Sequence, residues 1–211
     1  MREHTYIWIN PVSADMYAPE TMTDLLSRHN CTAVQCRDDW AGSVRGKYRK
    51  LVESESRIVS DARCPMAAAL VRELQQDAPR RRLSVAEIEP ILIHAARELA
   101  QREDLRNSPK LITTPCRALA EMGNALRLEG TTFLSWKDLL EQWGECPSVR
   151  KLEKSPIPPG FFDGTGIPVH KITGREEIAA YVRGCCGEER LVEMLYCKDG
   201  CHNGDGVLFD E

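Results

Sequence analysis

The sequence has no long apolar run. Its most hydrophobic stretches, such as IEPILIHAA at 88–96, are broken by Glu, Pro and His. They fall short of the roughly 20 residues that a bilayer crossing needs, so no membrane span is expected. The opening MREHTYIWINPV also lacks the apolar core of a signal peptide. Nor does one sign of charge dominate. Twenty-eight Lys and Arg stand against 32 Asp and Glu, a net charge of -4, which argues against nucleic acid or an anionic membrane as the main partner. The short basic run PRRRL at 79–83 reads as a solvated approach to a helix. Internal repeats and low-complexity tracts are missing as well. With 42% hydrophobic and 28% charged residues the chain is neither disordered nor collagen-like.

What the chain does have is nine cysteines. Without a targeting segment they are expected to stay reduced, in the cytoplasm, where an odd set of thiols suggests metal or redox chemistry. Short runs rich in Ile, Val, Leu and Thr alternate with runs of helical period. That rhythm predicts an α/β fold, a mostly parallel sheet with flanking helices arranged in two lobes. Strands are predicted at TAVQ before Cys36, at 56–60, 110–114, 131–134 and 168–172, and at RLVEMLY from Arg190. The best helix is predicted over 84–104, opening on a capping box of Ser84 and Glu87. Ser135 and Asp138 make a second capping box before LLEQW. Further helices are predicted over 19–29, 40–52, 66–76, 117–126 and 175–183.

The composition shifts at EKSPIPPGFFDGTGIP, where four prolines and three glycines forbid a helix or a central strand. This gives a first lobe over 1–152, a connector over 153–168 and a second lobe over 169–211. Phe161 and Phe162 imply that the connector packs down on the protein.

Cys36, Cys116 and Cys197 all fall just beyond predicted strands, where open α/β sheets build their sites. A helix start there offers free N–H groups that stabilise a thiolate. The densest motif is CKDGCHNGDG, with Cys197 and Cys201 on one turn and Gly200, Gly204 and Gly206 letting backbone approach a cofactor. Taken alone, a CxxxC is also compatible with two unrelated thiols or half a zinc site. Cys31, Cys64, Cys146, Cys185 and Cys186 read as small buried hydrophobes, with Cys64, ahead of Pro65, the substitute should Cys36 prove misplaced. His202 reads as an exposed turn residue and His94 as a core residue.

EMLYCKDGCHNGDG, from Glu193 to Gly206, resembles the third signature of the iron-only hydrogenase catalytic domain. TPCRALAEM, from Thr114, is similar to the second, and QCRDDW, from Gln35, to the first; RCPMAAAL, from Arg63, resembles the segment that follows it. The resemblance runs in order from about Thr32 to Gly206 and is shorter than the family's domain. It implies a 4Fe-4S cluster held by Cys36, Cys116, Cys197 and Cys201. It also implies that the family's chemistry is lost. The Lys that anchors the diiron unit falls at Leu119, a proton-path Glu at Met122, and the proton-relay Cys at Gln35. The expected function is therefore electron transfer or redox sensing without hydrogen production. The chain lacks a ferredoxin-type cysteine run, so a separate redox protein or subunit is expected as partner. Two alternatives stay open: a reductase using an open cluster face or a residual second metal site, and a structural zinc-thiolate protein.

Overall fold

The structure, a computed structural model, describes residues 4–15, 17–76, 83–145, 157–184 and 188–201. Cys146, Cys185, Cys186, His202, Gly204, Asp205, Gly206 and most of the basic run at 79–83 lie outside the described residues. The chain forms two compact units, residues 1–38, 92–156 and 202–211 in the first, and 39–91 and 157–201 in the second.

The first unit contains β1 (Thr5–Trp8), α1 (Pro11–Asp15), α2 (Pro19–Arg28) and β2 (Cys31–Ala33). The second unit then begins, with α3 (Trp40–Ser54), β3 (Ile58–Ser60), α4 (Pro65–Gln76) and β4 (Leu83–Val85). At α5 (Ile91–Gln101) the chain returns to the first unit for β5 (Lys110–Thr114), α6 (Arg117–Ala125), β6 (Thr131–Ser135) and α7 (Trp136–Trp143). The second unit closes with β7 (Val169–Thr173), α8 (Arg175–Gly184) and β8 (Leu191–Leu195).

Each unit carries one four-stranded sheet, ordered β2-β1-β5-β6 in the first and β4-β3-β8-β7 in the second. Every ladder in both is parallel. The α/β class and the parallel sheets expected from the sequence are therefore present. The inner strands β5 and β8 are buried at all five positions, as strands covered by helices on both faces must be. Among the described residues, no helix is long and apolar enough to cross a membrane.

In the first unit Ile7, Ile9 and Leu111 of the central strands pack against Met22, Leu25 and Leu26 of α2 and Trp136, Leu139 and Leu140 of α7. Each such side chain contributes roughly 1.5–3 kcal/mol on burial. On α6, Gly123 lies so close to β6 that an added Cβ would come within 2.3 Å of the Phe133 ring. The N-cap predicted before α7 forms, with Asp138 N–H donating to Ser135 Oγ at 3.1 Å, while the return bond comes from the Ser135 hydroxyl, which donates to the Asp138 carboxylate at 2.6 Å.

In the second unit the two faces of β8 divide by the two-residue period of a strand. Leu191 joins Val59, Val44, Tyr48 and Phe162 on one face, while Val192 and Met194 join Ala67, Val71, Ile178 and Val182 on the other. Phe162 is 1% exposed, so this part of the Pro/Gly-rich segment does pack down.

The long helix predicted from Ser84 is a strand followed by a shorter helix. Leu83, Ser84 and Val85 pair with Ile58, Val59 and Ser60, and α5 begins only after Pro90. Proline has no N–H to donate and disfavours helical backbone at the residue before it, which confines it to a helix start. Ser84 consequently serves a strand and not a cap. His94 is buried on α5 as the sequence suggested.

Candidate functional site

In an open parallel sheet, sites form beyond the carboxyl ends of the strands where strand order reverses. In the first unit that point lies between β1 and β5; in the second, β3 and β8 are the two central strands. Each predicted thiol has a definite relation to these points.

Cys116 follows β5 by two residues and stands at the N-cap of α6, its carbonyl accepting the Ala120 N–H at 3.2 Å. The turn is held by Thr114, whose hydroxyl donates to the Cys116 carbonyl at 2.8 Å. Across the same strand ends Asn10 N–H donates to Thr113 Oγ1 at 2.7 Å. Cys116 thus sits at the first unit's order reversal.

Cys36 does not. It follows β2, an edge strand, and its loop is pinned to α5. Glu98 accepts the Arg37 N–H at 2.7 Å, and Arg102 donates to the Gln35 carbonyl at 2.9 Å. Burial, reinforced by the Glu98 charge and a hydrogen bond from the thiol to that carboxylate, pushes Cys36 up to about 12. These surroundings favour a neutral thiol, whereas a metal ligand must be a thiolate.

Cys64 lies on the loop after β3, a central strand, immediately before α4. Its carbonyl accepts the Ala68 N–H at 3.0 Å, the first bond of the helix. Burial holds the Cys64 thiol above its ordinary value, and the backbone N–H groups of Ala67, Tyr196 and Met66 reduce that shift without cancelling it. Two of those donors belong to the first turn of α4 and the third to the residue preceding Cys197. The nearby Cys197 charge also acts on Cys64. Strands β3 and β8 are hydrogen-bonded neighbours, with Ser60 opposite Val192 and Asp61 N–H donating to the Val192 carbonyl at 2.9 Å. The structure therefore places the Cys64 and Cys197 loops beyond the ends of the two central strands of the second unit.

The turn that carries Cys197 onward is tied to β7 by Asp199 N–H donating to Thr173 Oγ1 at 3.1 Å. Gly200 is buried with φ of 129°, a conformation that side chains with a Cβ rarely take, so glycine is required there. Cys201 follows, its N–H donating to the Ile157 carbonyl at 2.9 Å. None of the six described cysteines forms a disulfide.

Beneath Cys64 and Cys197 lies a buried charge network with no counterpart in the sequence reading beyond Glu193 itself. The Arg63 guanidinium donates to both oxygens of Asp61, at 2.8 to 3.2 Å, and to Glu193 Oε1 at 2.8 Å. Asp61 is 0% and Glu193 1% exposed. Tyr48 donates its hydroxyl to Asp61 at 2.8 Å and accepts the Ala62 N–H at 2.9 Å. Glu193 also accepts the N–H groups of Gly160 and Phe161, at 2.8 and 3.1 Å. Arg63 stacks over the Phe161 ring, 3.9 Å from its centroid. Although burial alone would lower it, Arg63 is raised above its ordinary value by the two carboxylates, so it stays charged. Two carboxylates around one guanidinium leave a net negative charge that the N–H and O–H donors offset. The network locks the Cys64 loop, strand β8 and the 160–162 segment to one another. Its sequence signal was an Asp and an Arg in the three residues between a strand and a Cys-Pro.

Among the described residues, no three His, Cys, Asp or Glu side chains stand gathered for a metal ion. Cys64 and Cys197 are close enough for the charge of one to act on the other, and backbone N–H groups donate to Cys64, whose thiol burial still holds above its ordinary value. No family model matches the chain, and no curated protein matches it.

Proposed function

We propose that this chain is an iron-sulfur protein that binds one 4Fe-4S cluster and acts in electron transfer or redox sensing. The observation that carries the reading is the placement of Cys64 beside Cys197 on loops leaving two adjacent central strands. It favours Cys64 over Cys36 as a ligand, with Cys197 and Cys201 from the same unit. A bound cluster would supply a one-electron couple; the protein's residues hold it, and the N–H groups around Cys64 stabilise its negative charge. Metal sites rarely preform without their metal, which accounts for the incomplete gathering of donors.

Hydrogen production is not proposed. Leu119, at the position of the family's diiron-anchoring Lys, is buried on α6 and has nothing to donate. Gln35, at the relay position, does not titrate. A separate redox protein or subunit is the proposed partner, and the cytoplasm the proposed compartment.

Metal and sulfide analysis of anaerobically purified protein tests the reading. About four iron with matching sulfide per chain is expected, with a brown colour and a paramagnetic resonance signal on reduction. Stoichiometric zinc in a colourless protein would replace it with the structural-zinc alternative. A resonance signal that changes when a candidate substrate is added would replace it with a reductase.

A further inference from the structure

The Pro/Gly-rich segment is bonded within the second unit at two places, one of them the cysteine turn. Cys201 N–H donates to the Ile157 carbonyl at 2.9 Å, and the two residues pair as an antiparallel bridge. A few residues further on, the Gly160 and Phe161 N–H groups donate to the buried Glu193 carboxylate at 2.8 and 3.1 Å. Glu193 lies on β8, which leads directly into the turn of Cys197 and Cys201. Strand, turn and segment thus close a ring inside one unit. We propose that Glu193 is a positioning residue for the Cys201 turn, acting through residues 157–161 as a stiff strap whose far end it holds. That Cys201 is a metal ligand rests on the iron-sulfur reading; its coupling to Glu193 does not.

The strap is stiff because both residues between Ile157 and Gly160 are proline. Each pyrrolidine ring fixes φ, so the span has little freedom to swing or change length. At the catch, successive N–H groups meet one carboxylate, although in an extended chain they point to opposite sides. They do so across Gly160, whose φ of 133° a residue with a Cβ rarely adopts. Phe161 then fixes that end, with the Arg63 and Arg45 guanidinium groups over its ring at 3.9 and 5.2 Å from the centroid. Glu193 shares a face of β8 with Leu191, the face on which Phe162 packs. A carboxylate buried there needs hydrogen-bond donors to offset its lost hydration, and the strap supplies two of them.

The experiment compares the full chain with a Pro158→Gly/Pro159→Gly variant and with Glu193→Gln. The first variant keeps the carboxylate, its donors and every cysteine, and loosens only the span between the two attachments. Residue-resolved amide exchange by nuclear magnetic resonance reads the coupling. In the proline variant the Cys201 N–H should exchange at least about tenfold faster. The Val59 N–H, bonded across the central strands to the Arg190 carbonyl, should keep its rate. In Glu193→Gln the Gly160, Phe161 and Cys201 N–H groups should speed up together; where that variant fails to fold, the proline variant decides. In protein that carries iron, the proline variant should start with the same iron content and release it to a chelator about tenfold faster. A Cys201 N–H that keeps its rate in either folded variant would overturn the proposal, as would unchanged iron release. Equal acceleration at Val59 in the proline variant would overturn it too, because the loss would then be one of general stability. Protein that carries no iron defeats the cluster reading alone, and the exchange rates then decide this one.

Discussion

Cys36 and Cys64 each follow a short strand, yet their surroundings differ in kind. Cys36 lies past an edge strand, where burial and a carboxylate that accepts its S–H in a hydrogen bond keep it neutral. Cys64 lies past a central strand, at the start of a twelve-residue helix, with three backbone N–H groups acting on it and a second cysteine alongside. The difference shows that a cysteine after a strand is not enough to mark a site. In the proposed reading the ligand follows a central strand and meets backbone donors, whereas Cys36 follows an edge strand and meets an acceptor.

The largest effect that would break this comparison is loss of the metal. Cys64→Ser should reduce bound iron from about four per chain to background, as expected for a site that depends on every thiolate. Cys36→Ser should leave iron unchanged. Iron lost with Cys36 and kept without Cys64 would reverse the assignment. Paired iron and sulfide assays on the two anaerobic variants decide it.

The next effect concerns the base under Cys64. Replacing Arg63 with Met leaves Asp61 and Glu193 buried without a cation, and breaking such a pair costs about 3–5 kcal/mol. The exposed Arg117, 68% accessible and paired with Asp138, offers the contrast: Arg117→Ala should cost far less, because water and salt screen the pair. Urea unfolding of both variants measures the difference. Equal losses would mean that the buried network is no more than a surface-like ion pair.

Much of the fold was legible because the inner strands advertise themselves. KLITT and RLVEMLY are rich in Leu, Ile, Val and Thr since helices cover both faces, and β5 lies where the sequence placed it. Two strands escaped. β1 is four residues long, and β4 is three residues that also satisfy a helix start, so tertiary pairing with β3 decided its state over the local capping signal. Of the proposed site, the turn bearing Cys197 and Cys201 was visible through its glycines. The standing of Cys64 over Cys36 was not, because it depends on strand order and on Glu98, which lies 62 residues from Cys36 in sequence. No local pattern carries either.

The smallest effect sharpens the comparison from the side of Cys36. With its thiol held at about 12 against an ordinary 9.0, Cys36 has on the order of a thousandfold less thiolate at pH 8 than an unperturbed thiol. Alkylation by iodoacetamide should be correspondingly slow in the folded protein. The sign for stability follows. The unfolded chain releases this proton near 9 while the folded chain retains it until about 12, so the unfolded state binds fewer protons between these values and stability falls as pH rises through that window. Glu98→Gln removes the charge and keeps the shape, leaving burial, the largest cause of the shift, in place. The variant should therefore alkylate faster at Cys36 by about tenfold and no more, a change of about 1.4 kcal/mol. Peptide-resolved alkylation across pH 7 to 10 reads it directly. A Cys36 that reacts as an ordinary thiol before any substitution would erase the contrast with Cys64, because the carboxylate would then not be holding it neutral.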